Sequence, residues 1–343
     1  MAISTLEELS EHITLTEDEK NWDKNGDNTL PLLISDHIIP LLSNPSIRRQ
    51  FVPSVKENED NECTLDPQME EKHQDVIRLV HRYRNRAAFL TTDRCFAYCR
   101  HCFRRRFSGS EIGPASDKEI SDAAIYISKH PEIKEVLLTG GDMFTLSDER
   151  IDFMLSEFRK HCPGVILRLC TRAVAVYPER FTDNLMSIIR KHLREGAPFY
   201  LMTQFNHPAE LTDDAVKAVA AFVDMGIPAM NQSVLLKGVN DDAGTLTELS
   251  EKLLLSRIKP YYLFQGDPVR GTAHLRTSIS DGLEIEKELR KRLSGLGMPQ
   301  YTIDLPKGGG KVILTHSYLI CSDESTGKYI FETPEGGSRT YPE

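Results

Sequence analysis

Cys95, Cys99 and Cys102 stand close together in the run Thr92-Asp93-Arg94-Cys95-Phe96-Ala97-Tyr98-Cys99-Arg100-His101-Cys102. A cubane iron–sulfur cluster has one iron at each of its four metal corners and ordinarily takes four thiolates. Three thiolates from one short loop leave one iron without a protein ligand, open to a small molecule. The alternative is structural zinc with His101 as a fourth ligand, but such sites usually draw on two separated ligand pairs. The other cysteines, Cys63, Cys162, Cys170 and Cys321, are scattered singly. A disulfide set fits less well, because clustered thiols in a long chain with no visible signal peptide belong to a reducing compartment.

Two further motifs carry chemistry. In Gly140-Gly141-Asp142, the glycines would let backbone approach a ligand closely and Asp142 could hold an ammonium group, although Gly-Gly-Asp is also a common turn. In Asp304-Leu305-Pro306-Lys307-Gly308-Gly309-Gly310-Lys311, three glycines precede a lysine. That lysine could cradle a phosphate, but the P-loop spacing is absent and Val312 follows. It could carry pyridoxal 5′-phosphate as a Schiff base, or the run could be a flexible turn with two solvated lysines. Two basic clusters, His81-Arg82-Tyr83-Arg84-Asn85-Arg86 and Arg104-Arg105-Arg106, flank the cysteines. Arginine forks there suit a substrate carboxylate and a cofactor phosphate better than a plain solvated face.

The elements that must position these residues alternate. Candidate strands are Ala87–Thr91, Glu135–Thr139, Val165–Cys170, Phe199–Thr203, Ile227–Gln232 and Lys259–Phe264, separated by helical patterns such as Ile151–His161, Asp183–Glu195, Asp213–Met225 and Leu246–Leu255. Repeated βα alternation means parallel strands with crossover helices. Polar residues follow nearly every strand: the cysteines, Gly140-Gly141-Asp142, Thr171-Arg172, Asn206-His207, Gln232 and Asp267. Barrel enzymes place their chemistry at those C-terminal strand ends. The fold class read here is α/β, an open (β/α)6 partial TIM barrel. The expected division is an N-terminal helical segment (1–84), the barrel (85–275) and a C-terminal extension carrying the lysine loop (276–343), which a helix at Leu283–Leu293 introduces. The N-terminal segment holds four prolines and an acidic loop, Lys56-Glu57-Asn58-Glu59-Asp60-Asn61-Glu62.

The 343 residues suffice for a large core, and 40% hydrophobic with 27% charged residues is ordinary for a soluble enzyme. A net charge of -9 argues against nucleic acid as the main partner. Met1 to Lys20 lacks the basic and apolar regions of a signal peptide, and no apolar run approaches the ~20 residues that span a bilayer. A cytoplasmic protein without membrane contact is expected.

Taken together, the motifs resemble the lysine 2,3-aminomutase family, which combines a radical S-adenosylmethionine cluster with pyridoxal phosphate. The resemblance runs from about Val80 to Tyr341. It rests on the cysteine triplet, His81-Arg82-Tyr83-x-x-Arg86, Leu137-Leu138-Thr139-Gly140-Gly141-Asp142, Asn231-Gln232-Ser233-Val234-Leu235-Leu236, Pro260-Tyr261-Tyr262 and Gly308-Gly309-Gly310-Lys311. It implies that Cys95, Cys99 and Cys102 hold a 4Fe–4S cluster, whose open iron S-adenosylmethionine fills. Gly140, Gly141 and Asp142 would help hold S-adenosylmethionine, and Lys311 would carry pyridoxal phosphate. Arg82, Tyr83, Arg86 and Gln232 would line the cofactor pocket, with Arg86 on the phosphate. Arg104 would pair with the substrate carboxylate, and Asp267 and Asp304 with the ε-ammonium of lysine. The implied reaction moves an α-amino group to the β-carbon, after a radical removes hydrogen from that carbon, and needs a reducing electron donor.

The chain departs from the family pattern at several points. Lys307 replaces the first glycine of the run, which makes it the runner-up Schiff-base lysine. Gln204 stands where the family has histidine. Asp242 stands where full-length members have a zinc cysteine, and no cysteine-rich tail precedes Glu343, so no zinc is expected and a homo-oligomer stays open. Two rival substrates follow: a lysine of elongation factor P, and free arginine. A glutamate substrate is disfavoured by the two aspartates, and a non-enzymatic iron–sulfur or zinc protein would leave Lys311 and the arginines unexplained.

Overall fold

The computed structural model describes residues 2–26, 30–60 and 63–342. Nine strands form one sheet, consecutive in both sequence and space: β1 (Leu79–Tyr83), β2 (Arg86–Thr92), β3 (Glu135–Gly140), β4 (Ile166–Cys170), β5 (Phe199–Thr203), β6 (Ala229–Leu235), β7 (Ile258–Gln265), β8 (Gln300–Leu305) and β9 (Gly310–Ile313). From β2 to β8 every neighbour is parallel. β1 and β9 add antiparallel edges. The six expected strands are β2 to β7, and the sheet continues across both expected domain boundaries. It curls into a partial barrel. Tyr83 Oη on one edge strand donates to Asp304 Oδ1, 3.3 Å away, at the other end of the sheet order.

Local chemistry sets the crossover helices. α1 (Asp117–Ser128), α2 (Asp148–His161), α3 (Asp183–Lys191), α4 (Asp213–Val223), α5 (Ala243–Leu255) and α6 (Ile279–Arg292) each start behind a Ser, Thr or Asp whose side chain accepts from a backbone N–H of the first turn. Asp242 is the cap of α5, its Oδ1 accepting from Thr245 N at 2.8 Å. Apolar residues on the inner helix faces, such as Phe158, Leu155, Val219, Phe222, Leu249 and Leu253, are fully or almost fully buried against the outside of the sheet. No helix among the described residues is long and apolar enough to cross a membrane.

The N-terminal region departs from the expected helical segment. Its helices are short, the longest being Pro45–Phe51, and Ala2–Ile3 pairs with Ile34–Ser35. The expected acidic loop begins as a helical turn, Lys56–Glu59, while Asn61 and Glu62 lie outside the described residues. Glu57 is no solvated charge: its carboxylate lies between Arg100 (2.5 Å) and Arg105 (2.6 Å), all three side chains almost fully buried. Burial opposes ionisation of Glu57, but the two guanidiniums outweigh it and lower its pKa. Arg100 and Arg105 bracket Cys102, so this buried triad anchors the cysteine loop to the N-terminal region. Beyond β9, three mostly exposed strands, β10 (Leu319–Asp323), β11 (Lys328–Glu332) and β12 (Ser338–Tyr341), form a separate antiparallel sheet. Glu332 ties it to α6 through Lys287 at 2.8 Å.

Candidate active site

The barrel encloses a cavity of about 440 Å³. Its wall includes the residues expected to hold the cluster, the cofactors and the substrate: Cys95, Cys99, Cys102, Gly140, Gly141, Asp142, Arg82, Tyr83, Arg86, Gln232, Arg104, Asp267, Asp304 and Lys311. β6 shows why Gln232 is among them. Its residues alternate between buried and half-buried, which puts Gln232 and Val234 on the face that lines the cavity.

At the cysteine end the glycines approach the chain's own backbone. Gly141 N donates to Thr92 O at 2.6 Å and Asp142 N to Arg94 O at 2.7 Å. A Cβ on Gly141 would lie 2.2 Å from Arg94 O, and Gly140 takes a φ of +116°. The strand thus presses directly onto the loop that begins with Cys95. Asp142 is also committed to the fold. It accepts from Thr171 Oγ1 (2.8 Å), Arg172 N (2.8 Å), Ala173 N (3.0 Å) and Phe144 N (3.0 Å). Burial pushes its pKa up, against these hydrogen bonds. These hydrogen bonds join the loop after β3 to the loop after β4.

Arg172 Nη1 lies 2.7 Å from Cys99 Sγ, and its Nη2 reaches Glu210 Oε2 at 2.8 Å and Gln50 Oε1 at 2.6 Å. Burial works against this guanidinium, but Cys99 and Glu210 outweigh it and raise its pKa. Burial pushes the Cys95 thiol up, as do the nearby Cys102 and Asp142 charges. Cys99 is also raised by burial, with Arg172 pulling the other way. Sulfur donors in so dry a site need cationic partners to ionise, which is the chemistry iron would supply. His101 Nε2 is 3.3 Å from both Gln204 Nε2 and Asn206 Nδ2, and burial drives its pKa well below the ordinary range.

At the other end, β8 and β9 form a tight hairpin that sets Asp304 directly opposite Lys311. Lys307, Gly308 and Gly310 all take positive φ values there (+57°, +79° and +88°), which explains the glycine run. Lys311 Nζ lies 2.5 Å from Asp304 Oδ2 and 4.1 Å from the centre of the Phe264 ring. Burial lowers its pKa, opposed by Asp304 and Asp267. Lys307 is exposed in the turn, its backbone N–H on Pro67 O, and forms no part of the cavity wall. Of the two candidates, Lys311 alone faces the cavity.

The arginines divide by partner. Arg104 holds Glu70 through Nε and Nη2 at 2.8–3.0 Å, with Nη1 on Thr139 Oγ1 at 3.2 Å. Arg82 donates to Tyr83 Oη at 2.7 Å and to Gln68 Oε1, and lies 3.5 Å from Asp304. Arg86 stacks 3.7 Å over the Tyr83 ring, and among the described residues it has no carboxylate partner. Its charge is available to an anion. Asp267 is pushed up to about 6, chiefly by burial, with Gln68 donating to it at 2.5 Å.

Gln50, Gln68, Glu70, Arg172 and Glu210 were not recognised as site residues from sequence. Thr171-Arg172 did stand at a strand end. For Gln50, Gln68 and Glu70, the available signal was indirect: buried arginine clusters require acceptors from elsewhere in the chain.

Comparisons with known proteins show the family. The family model described as the radical SAM superfamily matches residues 89–249, and the one described as lysine-2,3-aminomutase matches residues 285–343. The L-lysine 2,3-aminomutase of Bacillus subtilis (strain 168) is 38% identical over 99% of this chain and 72% of its own. That of Clostridium subterminale is 37% identical over 99% of this chain and 82% of its own. The glutamate 2,3-aminomutase of Clostridioides difficile (strain 630) is 37% identical over 97% of this chain and 79% of its own. With a cysteine loop, a buried lysine and their arginines around one barrel cavity, and with such similarity along nearly its whole length, the chain belongs to the lysine 2,3-aminomutase family of radical S-adenosylmethionine isomerases, which work with a 4Fe–4S cluster, S-adenosylmethionine and pyridoxal phosphate.

Proposed function

We propose that this protein moves the α-amino group of free L-lysine to its β-carbon, giving L-β-lysine. One observation carries the choice of substrate: Asp267 and Asp304 share the Lys311 end of the cavity. Overall identity does not choose, since lysine and glutamate aminomutases are about equally similar. Two carboxylates do: they attract a cationic side chain and repel an anionic one.

The residues fit the family's cofactors. Cys95, Cys99 and Cys102 would hold the cluster, with Gly140, Gly141 and Asp142 shaping the wall on which S-adenosylmethionine rests. Lys311 would carry pyridoxal phosphate, with Arg86 facing its phosphate and Tyr83, Arg82 and Gln232 around it. When bound, these groups supply a radical able to take an unactivated hydrogen and a conjugated system across which an amino group can migrate.

The chain's own residues do the rest. Burial lowers the pKa of Lys311, which favours the neutral, nucleophilic amine. Release of Lys311 from Asp304 leaves that carboxylate for the substrate's side-chain cation. Arg104 has five N–H donors, and its contacts with Glu70 and Thr139 use three, leaving two for the substrate carboxylate. The substrate is thereby held at both ends, with its β-carbon kept from water between them. The reducing chemistry and an external electron donor fit a cytoplasmic setting.

The test is an anaerobic assay of reconstituted, reduced protein with L-lysine carrying ¹⁵N at the α-position. Mass spectrometry of the derivatised product should show β-lysine with the label retained at the β-carbon. Arginine, glutamate and elongation factor P run in parallel. Turnover of one of these in place of lysine would overturn the substrate assignment.

A further inference from the structure

We infer that Gln68, from the N-terminal region, selects an ammonium over a guanidinium at the side-chain end of the substrate pocket. The inference rests on the proposed lysine reading and names a determinant of it. Gln68 is 5% exposed. Its amide is fully engaged: Nε2 donates to Asp267 Oδ1 at 2.5 Å and to the Asp304 carbonyl at 3.4 Å, and Oε1 accepts from Arg82. The orientation is dictated by the partners, because a carboxylate and a carbonyl only accept and a guanidinium only donates.

The backbone around Gln68 is pinned on several sides. Pro67 O accepts from Lys307 N at 2.9 Å, Thr64 bridges to Val269, and the Asp66 carboxylate pairs with Arg106 at 3.0 Å. Gln68 therefore cannot swing aside cheaply when substrate enters.

The consequence follows from acceptor geometry. A guanidinium recognises a carboxylate through a planar fork that needs both oxygens. Gln68 already donates to one oxygen of Asp267, so an incoming fork would have to share Oδ1 with the amide, whereas a single donor can use the other oxygen. A compact ammonium needs single acceptors in any direction, and it finds one on Asp267 and one on Asp304 once Lys311 has released it. The structure thus offers lysine an unshared acceptor and makes arginine compete with the Gln68 amide for its fork on Asp267.

Two variants separate the amide from its bulk. Gln68→Leu keeps similar volume and removes the donor, whereas Gln68→Ala removes both. Dissociation constants for L-lysine and L-arginine are measured on the pyridoxal-phosphate-loaded, unreduced enzyme, from the change in cofactor absorbance. Because this reads binding without turnover, it remains informative even if free lysine proves not to be the substrate. Both variants should improve arginine relative to lysine by about tenfold, the scale of one charge-assisted hydrogen bond. An unchanged ratio in both, or a change in Gln68→Ala alone, would overturn the role assigned to the amide.

Discussion

At the cysteine end of the cavity, three thiols face a dry wall, and burial raises Cys95 and Cys99. The loops there are bound to neighbouring loops of the same barrel: Gly141 to Thr92, Asp142 to Arg94, and Asp142 again to Thr171 and Arg172. At the lysine end the charged groups already have partners, Lys311 with Asp304 and Asp267 with Gln68. Lys311 and Asp304 face each other across one hairpin, whereas Gln68 and Asp267 are 199 residues apart. The cysteine end is thus a packed seat where one guanidinium, Arg172, stands beside three thiols, and a metal cluster would supply the further positive charge. The lysine end is a set of exchangeable pairs, in which an incoming amino acid can replace one protein group by an equivalent one.

The largest expected effects come from removing the central group of either end. Lys311→Ala and Cys99→Ala should each abolish turnover, yet each should spare the opposite end. The first should keep its full iron content and cluster absorbance while losing the Schiff-base band, and the second should do the reverse. Loss of both signals in either variant would contradict the independence of the two ends.

Next in size is the anchor of the cysteine loop. Glu57→Gln leaves Arg100 and Arg105 buried beside a neutral amide, and breaking such a pair costs about 3–5 kcal/mol. Chemical denaturation should show a loss of that order, and the remaining folded protein should retain less iron on reconstitution.

Smaller effects belong to the exchangeable pairs. Asp304→Asn should weaken lysine binding about 10- to 100-fold, the scale of one hydrogen bond between charged groups, as read from the lysine dependence of the cofactor spectrum.

The subtlest effect is a pH dependence. Burial, with Asp304 and Glu70 nearby, pushes Asp267 up to about 6, whereas Gln68 and Lys311 pull it down. Below that pH Asp267 is protonated and cannot pair with a cation. Lysine affinity should therefore rise as pH rises through about 6, with accompanying proton release in calorimetry, and Asp267→Asn should flatten that limb.

This contrast also explains what the sequence could disclose. The parallel strands were readable because each buried run is bounded by turn residues and followed by an amphipathic helix; Phe199–Thr203 matches its expected bounds. The cysteine loop and Lys311 were readable because their neighbours along the chain define them. α1 was not anticipated, although Ser116 and Glu119 form a capping box that marks its start. β1 was hidden because its half-polar face looks like a basic cluster, and its strand character depends on pairing with β2. The roles of Gln68 and Glu70 arise only when the N-terminal region closes over the barrel, a contact with no local signature. Asp142 lines the cavity, but its hydrogen bonds go to the next βα unit, which the motif alone does not reveal.

The most direct test of a single cavity joining the two ends is isotope transfer. L-lysine deuterated at the β-carbon is incubated with the reduced, fully loaded enzyme, and S-adenosylmethionine is recovered and analysed by mass spectrometry and NMR. The account predicts deuterium at the 5′-carbon of S-adenosylmethionine, together with labelled β-lysine. Formation of β-lysine with no deuterium in S-adenosylmethionine would contradict it.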